Sequence, residues 1–106
     1  MDDTAILMLG VQAVMTQTYS SVERALRDPQ DEDDRRILES WTSIQTMMGE
    51  RFGRERDAGH ITDEQYDYAM EWLINWVETG PAESWTLLDG WYEWVGWSHP
   101  EYGKGV

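Results

Sequence analysis

Hydrophobic residues recur every three to four positions along four stretches of this chain, which is the spacing of one face of an α-helix. The first stretch runs from about Thr4 to Arg27. Its apolar stripe consists of Met8, Val11, Met15, Tyr19, Val22 and Leu26, and Leu7 and Val14 widen it. A stripe of this width predicts a helix that is buried against more than one neighbour.

The second stretch begins at the sequence DPQDEDDRR. Asp28 is predicted to cap this helix and Pro29 to take its first position, since both residue types are favoured there. The acids that follow suit the positive end of the helix dipole. The predicted buried face consists of Ile37, Trp41, Ile44, Met48 and Phe52. Gly59 predicts the end of the helix.

The third stretch has the clearest start, in the sequence ITDEQY. Thr62 is predicted as the N-cap and Gln65 as its partner in a capping box, while the isoleucine and tyrosine on either side form a hydrophobic staple. The stripe continues to about Thr79, where a Gly-Pro pair follows. The sequence therefore predicts one uninterrupted helix over residues 63–79.

The fourth stretch is predicted to be a helix from Pro81 to about Trp97, although the sequence WYEWV also has some strand propensity. Its apolar residues fall on two faces. The expected core face consists of Trp85, Leu88, Tyr92 and Val95, and the second face consists of Leu87, Trp91 and Trp94. The short connections between the four stretches favour antiparallel neighbours. We therefore predict an all-α fold, a small antiparallel bundle of about four helices, as a single helical domain over residues 1–106 in which residues 98–106 form a loosely packed tail.

Tryptophan is concentrated near the end of the chain, where six of the seven residues lie between Trp72 and Trp97. Three tryptophans fall on stripes that are expected to be buried: Trp41, Trp76 and Trp85. The other four fall beside or beyond these stripes: Trp72, Trp91, Trp94 and Trp97. Exposed aromatic residues that cluster in this way are typical of interfaces, so these four are predicted to contact a partner.

Charge is as unevenly distributed as tryptophan. The net charge is −13, and all seven arginines lie between Arg24 and Arg56. From Asp57 to Gly103 there are ten carboxylates and no lysine or arginine. The acids of this region that are predicted to contact a partner are Asp63, Glu64, Asp67, Glu71, Glu78, Glu83, Asp89 and Glu93. Such a surface repels nucleic acids and anionic membranes and attracts basic proteins.

Several classes of function lack the residues that they require. The chain contains no cysteine, and it has no nucleophile, phosphate-binding or zinc-protease motif. We therefore expect a protein that is not an enzyme and that binds neither a cofactor nor a metal. Two aspartates stand where a signal peptide would need positive charge, and no segment is long and apolar enough to span a membrane. The expected location is the cytoplasm, which would be the host cytoplasm for a phage-encoded protein.

Carboxylates about 5–6 Å apart on a helix can imitate the phosphates of a nucleic acid, and tryptophan can stack on arginine. In size and charge the chain resembles the small acidic phage proteins that inhibit restriction or CRISPR effectors. The sequence therefore favours an inhibitor that occupies the basic nucleic-acid-binding surface of a host protein by DNA mimicry. One alternative is a helical scaffold or assembly protein that forms homo-oligomers, such as homodimers, through its Trp-rich face. Another is a small-ligand site formed by an aromatic cage.

Overall fold

A computed structural model describes residues 3–96, with side chains from residue 4 onward. Four substantial helices and one short helix account for nearly all of these residues: α1 (Asp3–Arg27), α2 (Glu32–Asp57), α3 (Asp63–Ile74), α4 (Trp76–Thr79) and α5 (Pro81–Val95). The described part of the chain contains no strand. The predicted all-α helical bundle is confirmed. None of the described helices is long and apolar enough to cross a membrane.

The two long helices α1 and α2 form a hairpin, and the shorter α3 and α5 pack against one half of it. Helix α2 lies between α1 and α3, and α5 lies between α1 and α3 on the other side. The diagonal pair α2 and α5 meets through Phe52 and Trp91, whose ring centroids are 6.2 Å apart. The largest fully buried side chains are Met8, Met15, Met48, Phe52, Leu73, Trp76, Leu88, Trp91 and Tyr92. The stripes of α1 and α2 supply much of this core, as predicted, but Leu26 and Val14 are each 49% exposed.

The start of α2 differs from the prediction. Asp31, not Asp28, is the N-cap, and its carboxylate accepts a hydrogen bond from the backbone N–H of Asp34. Asp34 turns inward, where Arg24 donates two hydrogen bonds to it and the backbone N–H of Gln30 donates a third. These bonds lower the pKa of Asp34, the Arg24 bond most of all. The hairpin is therefore closed by a buried carboxylate that holds residues 28–30 outside the helix.

Helix α3 begins as predicted, but it ends early. Thr62 caps it, and both hydrogen bonds of the capping box with Gln65 are present. The predicted continuous helix to Thr79 is wrong, because the chain breaks at Asn75 and continues as the short helix α4. The break brings Trp76 fully into the core, where its indole N–H donates to Gln12 of α1 at 2.9 Å. Helix α5 then turns back along α3.

Helix α5 is a helix as predicted, and it ends at Val95 with Gly96 in the left-handed conformation, φ 78°. Its core face is rotated relative to the prediction. The residues it buries are Ser84, Leu88, Trp91 and Tyr92. The Tyr92 hydroxyl donates to the backbone carbonyl of Ala5 at 2.5 Å, and burial raises the pKa of this phenol. The rotation decides which tryptophans remain at the surface.

Candidate protein-binding surface

The outer sides of α3 and α5 bring together five of the eight predicted carboxylates. Glu64, Asp67 and Glu71 are spaced i, i+3, i+7, so they share the side of α3 that points away from the core. Glu83 and Glu93 lie on the solvent side of α5, and all five side chains are exposed. We call this surface, which includes Tyr68 and Trp94, the α3–α5 face. It consists of Glu64, Asp67, Tyr68, Glu71, Glu83, Glu93 and Trp94.

Two aromatic rings lie between the acidic residues of the α3–α5 face. Trp94 of α5 is 48% exposed, and its ring meets the half-buried Tyr68 of α3 edge to face, with centroids 5.7 Å apart and planes at 87°. The geometry is one that aromatic pairs prefer. It fixes the position of Trp94 while leaving about half of its surface available to a partner. Trp94 is thus the predicted partner-contacting tryptophan that the structure places at the surface.

The carboxylates of the α3–α5 face have no ion pair with any basic side chain in residues 4–96. The α1–α2 hairpin differs, because five of its seven arginines pair with acids of the same hairpin. Arg24 pairs with Asp34, and Arg27 pairs with Glu23. Arg35 likewise pairs at the surface with Glu32 and Glu39, which lie one turn before and one turn after it on α2. The negative potential of the protein is therefore concentrated over α3 and α5.

The other three predicted acids are exposed but lie apart from this face. Asp63 is 4.0 Å from Arg56, on the flank of α3 that faces α2. Glu78 lines an open groove of about 940 Å³ between the α1–α2 hairpin and α4. Asp89 and Glu93 follow Trp85 at successive helical turns; Asp89 lies nearer the flank of α5 that faces α1, and Glu93, next to Trp94 in the chain, lies at the edge of the α3–α5 face. A single continuous surface of all eight acids is therefore not present.

Two tryptophans predicted to contact a partner are core residues instead. Trp72 is 5% exposed and Trp91 is 1% exposed. Trp72 donates its indole N–H to the Ser84 carbonyl at 3.1 Å, and Trp91 donates to the Gln65 carbonyl at 2.9 Å. Both predictions of exposure are wrong, because α3 and α5 pack closely enough for each indole to bridge them. Trp97 lies outside the described residues.

Trp85 is more exposed than predicted. It was expected in the core with Trp41 and Trp76, which are indeed buried, but it is 38% exposed. Its ring lines an open depression of about 620 Å³ formed by α1 and the start of α5, together with Gln12 and Pro81. The rotation of α5 moves it to the edge of the buried face.

Sequence reasoning missed Tyr68 as a member of the surface and Asn75 as the end of α3. Tyr68 could have been found from its spacing, because it lies four residues after Glu64 and three before Glu71 on the same side of the helix. No proline or glycine marks the break at Asn75, so the sequence carries no local signal for it. Both residues line a small pocket at the end of α3.

The described groups of this surface suit the binding of cations, because carboxylates attract cations and an exposed indole stacks on them. Among residues 4–96, no three side chains of histidine, aspartate or glutamate converge in a way that could hold a metal ion. Comparison with protein-family models, with curated proteins and with solved structures finds no match to this chain.

Proposed function

We propose that this protein is a non-enzymatic acidic inhibitor that binds the basic nucleic-acid-binding surface of a host nuclease or defence complex through the α3–α5 face. The observation that supports this proposal most is the set of five carboxylates that are exposed on the outer sides of α3 and α5 with no ion pair to another described residue, together with the exposed Trp94 on the same face. Carboxylates that already neutralise arginines on their own chain would have little attraction left for a partner. Those of the α3–α5 face keep their full charge for one.

The spacing of the acids suits imitation of a phosphate backbone. Glu64 and Glu71 are seven residues apart on a straight helix, which places them about 10 Å apart along its axis with Asp67 between them. A groove that binds nucleic acid presents arginine and lysine side chains at intervals set by successive phosphates. Acids on two neighbouring helices can therefore meet several of those side chains at once. The same charges repel nucleic acid, so direct binding to DNA or RNA is not part of the proposal.

Trp94 can prolong the lifetime of a complex, on which surface charge alone has little effect. Surface electrostatics chiefly accelerates association, while a rigid aromatic residue at the centre of an interface slows dissociation. A partner arginine that approaches the carboxylates can stack on the exposed indole. The alternative of self-association through a Trp-rich face has less support, because Trp72 and Trp91 are buried and supply no surface for it.

The proposal is tested by competition for a nucleic-acid-binding protein. Restriction endonucleases and CRISPR effectors are loaded with a fluorescent cognate duplex, and its release by this protein is followed by anisotropy. We expect the protein to displace the duplex from its target. The triple variant Glu64→Lys, Asp67→Lys, Glu71→Lys should associate at least about tenfold more slowly at low salt and lose displacement, because it reverses the local potential.

A matched control changes the same net charge elsewhere. Glu39→Lys, Glu50→Lys and Asp57→Lys alter exposed residues of α2, and both triple variants should keep the fold, since exposed helix charges contribute little to stability. The control should retain most of the displacement. Simultaneous binding of duplex and protein to a target, or equal losses in the two triple variants, would refute mimicry by the α3–α5 face.

A further inference from the structure

A small pocket opens beside the α3–α5 face, where α3 ends and α4 begins. Its volume is about 180 Å³, and it is lined by Tyr68, Glu71, Trp72, Asn75, Thr79 and Leu87. Pockets for drug-sized molecules are typically about 300–1,000 Å³. The space therefore suits a single side chain or a small cation rather than a larger metabolite.

Three polar groups of this pocket are not used by the fold. The Glu71 carboxylate is exposed and has no ion pair within the described part of the chain. Asn75 makes no side-chain cap for α4, and neither its amide nor the Thr79 hydroxyl hydrogen-bonds to another residue of the range 4–96. A carboxylate, an amide oxygen and a hydroxyl oxygen are all acceptors. The pocket thus offers acceptors to a ligand that carries several donors.

Aromatic rings form its walls, and they are held in place. Trp72 is fixed by the hydrogen bond from its indole N–H to the Ser84 carbonyl. Tyr68 is fixed by its edge-to-face contact with Trp94. The last turn of α3 contains no basic residue, so the partial negative charge at its carboxyl end is not neutralised there. Aromatic rings, a carboxylate and a helix carboxyl end all favour a cation in the same place.

We infer that this pocket binds the guanidinium group of an arginine side chain presented by the partner. The inference builds on the proposed function, since it names the residue type that the α3–α5 face recognises. Guanidinium is planar, stacks on aromatic rings and carries five donors, whereas a lysine ammonium is a strongly hydrated point charge. The chain already uses this mode elsewhere: the Arg56 guanidinium lies 4.1 Å from the Tyr66 ring centroid and 4.0 Å from the Asp63 carboxylate.

The test uses the full chain labelled with ¹⁵N and titrated with N-acetyl-arginine methylamide. Saturable shifts are expected at the backbone amides of Asn75 and Thr79 and at the Trp72 indole N–H. The citrulline analogue, which has nearly the same shape but no charge, should produce no saturable shift there. The lysine analogue should bind more weakly. Equal shifts with the arginine and citrulline analogues would overturn the inference.

A pair of conservative variants separates the pocket from the general negative field. Glu71→Gln removes the carboxylate of the pocket and should weaken binding of the arginine analogue at least about fivefold, as loss of a charge-assisted hydrogen bond does. Glu50→Gln removes an equal exposed charge on α2, outside the α3–α5 face, and should change it less than twofold. Equal effects of the two variants would contradict a specific pocket. The spectra themselves report whether each variant is folded.

The competition assay distinguishes failure of this inference from failure of the proposed function. Duplex displacement together with no binding of the arginine analogue would refute the pocket and leave the inhibitor role standing. Binding of the analogue together with no displacement from any target would support the pocket and count against the inhibitor role.

Discussion

Replacing Trp76 by phenylalanine tests the hydrogen bond that joins the short helix α4 to α1. Trp76 is fully buried, and its indole N–H donates to the side-chain oxygen of Gln12, which is 3% exposed. The amide nitrogen of Gln12 donates in turn to the Pro81 carbonyl at 3.0 Å. Phenylalanine keeps part of the aromatic bulk but leaves the Gln12 oxygen buried without its donor.

The expected loss in the free energy of unfolding has two parts. A buried acceptor left unpaired costs about 1–3 kcal/mol. The smaller ring lacks three ring atoms, two carbons and the nitrogen, at roughly 0.8 kcal/mol for each carbon removed. Trp76→Phe should therefore cost about 2.5–4.5 kcal/mol. Trp76→Ala should cost more, because loss of the whole ring alone typically costs about 3–5 kcal/mol and the Gln12 oxygen is again left unpaired.

Urea unfolding followed by circular dichroism measures these differences, and a double-mutant cycle isolates the hydrogen bond. Gln12→Leu removes the acceptor, and the double variant Gln12→Leu, Trp76→Phe removes both partners. We expect a coupling free energy of about 1–2 kcal/mol between the two positions. The control Trp94→Phe, at a half-exposed position, should cost less than about 0.5 kcal/mol. A coupling near zero, or equal losses at positions 76 and 94, would refute the argument.

Three further predictions concern single residues. Gly80→Ala should lower the free energy of unfolding by about 1–3 kcal/mol, because the φ of 91° and ψ of 160° suit only glycine. Gly10→Ala, inside α1 with open space around it, should raise it by about 0.5–1 kcal/mol in the same denaturation assay. Bonding to Arg24 lowers the pKa of Asp34. The stability that the ionised Asp34 contributes is therefore present above the ordinary carboxyl pKa near 4 and is lost as pH falls toward the lowered value. The free energy of unfolding should fall less steeply with acidification in Asp34→Asn than in the unaltered protein, and an unchanged slope would contradict this. Ser84→Ala should raise the unfolding free energy by up to about 1 kcal/mol, because its buried hydroxyl has no partner among the described residues; calorimetry showing a clear loss would contradict that account.

The sequence was sufficient where local interactions decide the structure. The start of α3 at Thr62 depends on a capping box within four residues, and Gly59 follows α2 with a φ of 79°, as a helix stop requires. The sequence predicts Asp28 as the cap of α2, whereas the structure has Asp31. The choice between them depends on Asp34, which pairs with Arg24 on the preceding helix, and a local pattern contains no such information.

The surface was harder to predict because α5 has apolar residues on most of its circumference. Its residues fit two overlapping stripes, and the packing of α1 and α3 selects one that buries Trp91 and leaves Trp85 at the edge. The polar neighbours of Trp72 one turn away on α3, Tyr68 and Asn75, favour exposure, but α5 covers its ring. The exposed carboxylates were predicted more reliably, since an ionised acid is rarely buried without a partner. Which of these acids lie on the α3–α5 face and which lie beside it depends on how the helices pack, and a local sequence pattern does not contain that information.

Folding order follows from the way the bundle is connected. The α1–α2 hairpin joins neighbours in the chain, and its connection leaves only four residues between the helices. The bonds that attach the later helices to α1 span 64 residues for Gln12 and Trp76 and 87 residues for Ala5 and Tyr92. Because closing a longer loop costs more entropy, we expect the hairpin to form before α5 docks onto α1. Helices α3 and α5 are joined by bonds that span only 12 residues for Trp72 and Ser84 and 26 residues for Gln65 and Trp91, so they can form a second local unit that docks onto the hairpin. Under the proposed function, a chain stalled as the isolated α1–α2 hairpin would lack the α3–α5 face and would not bind the partner.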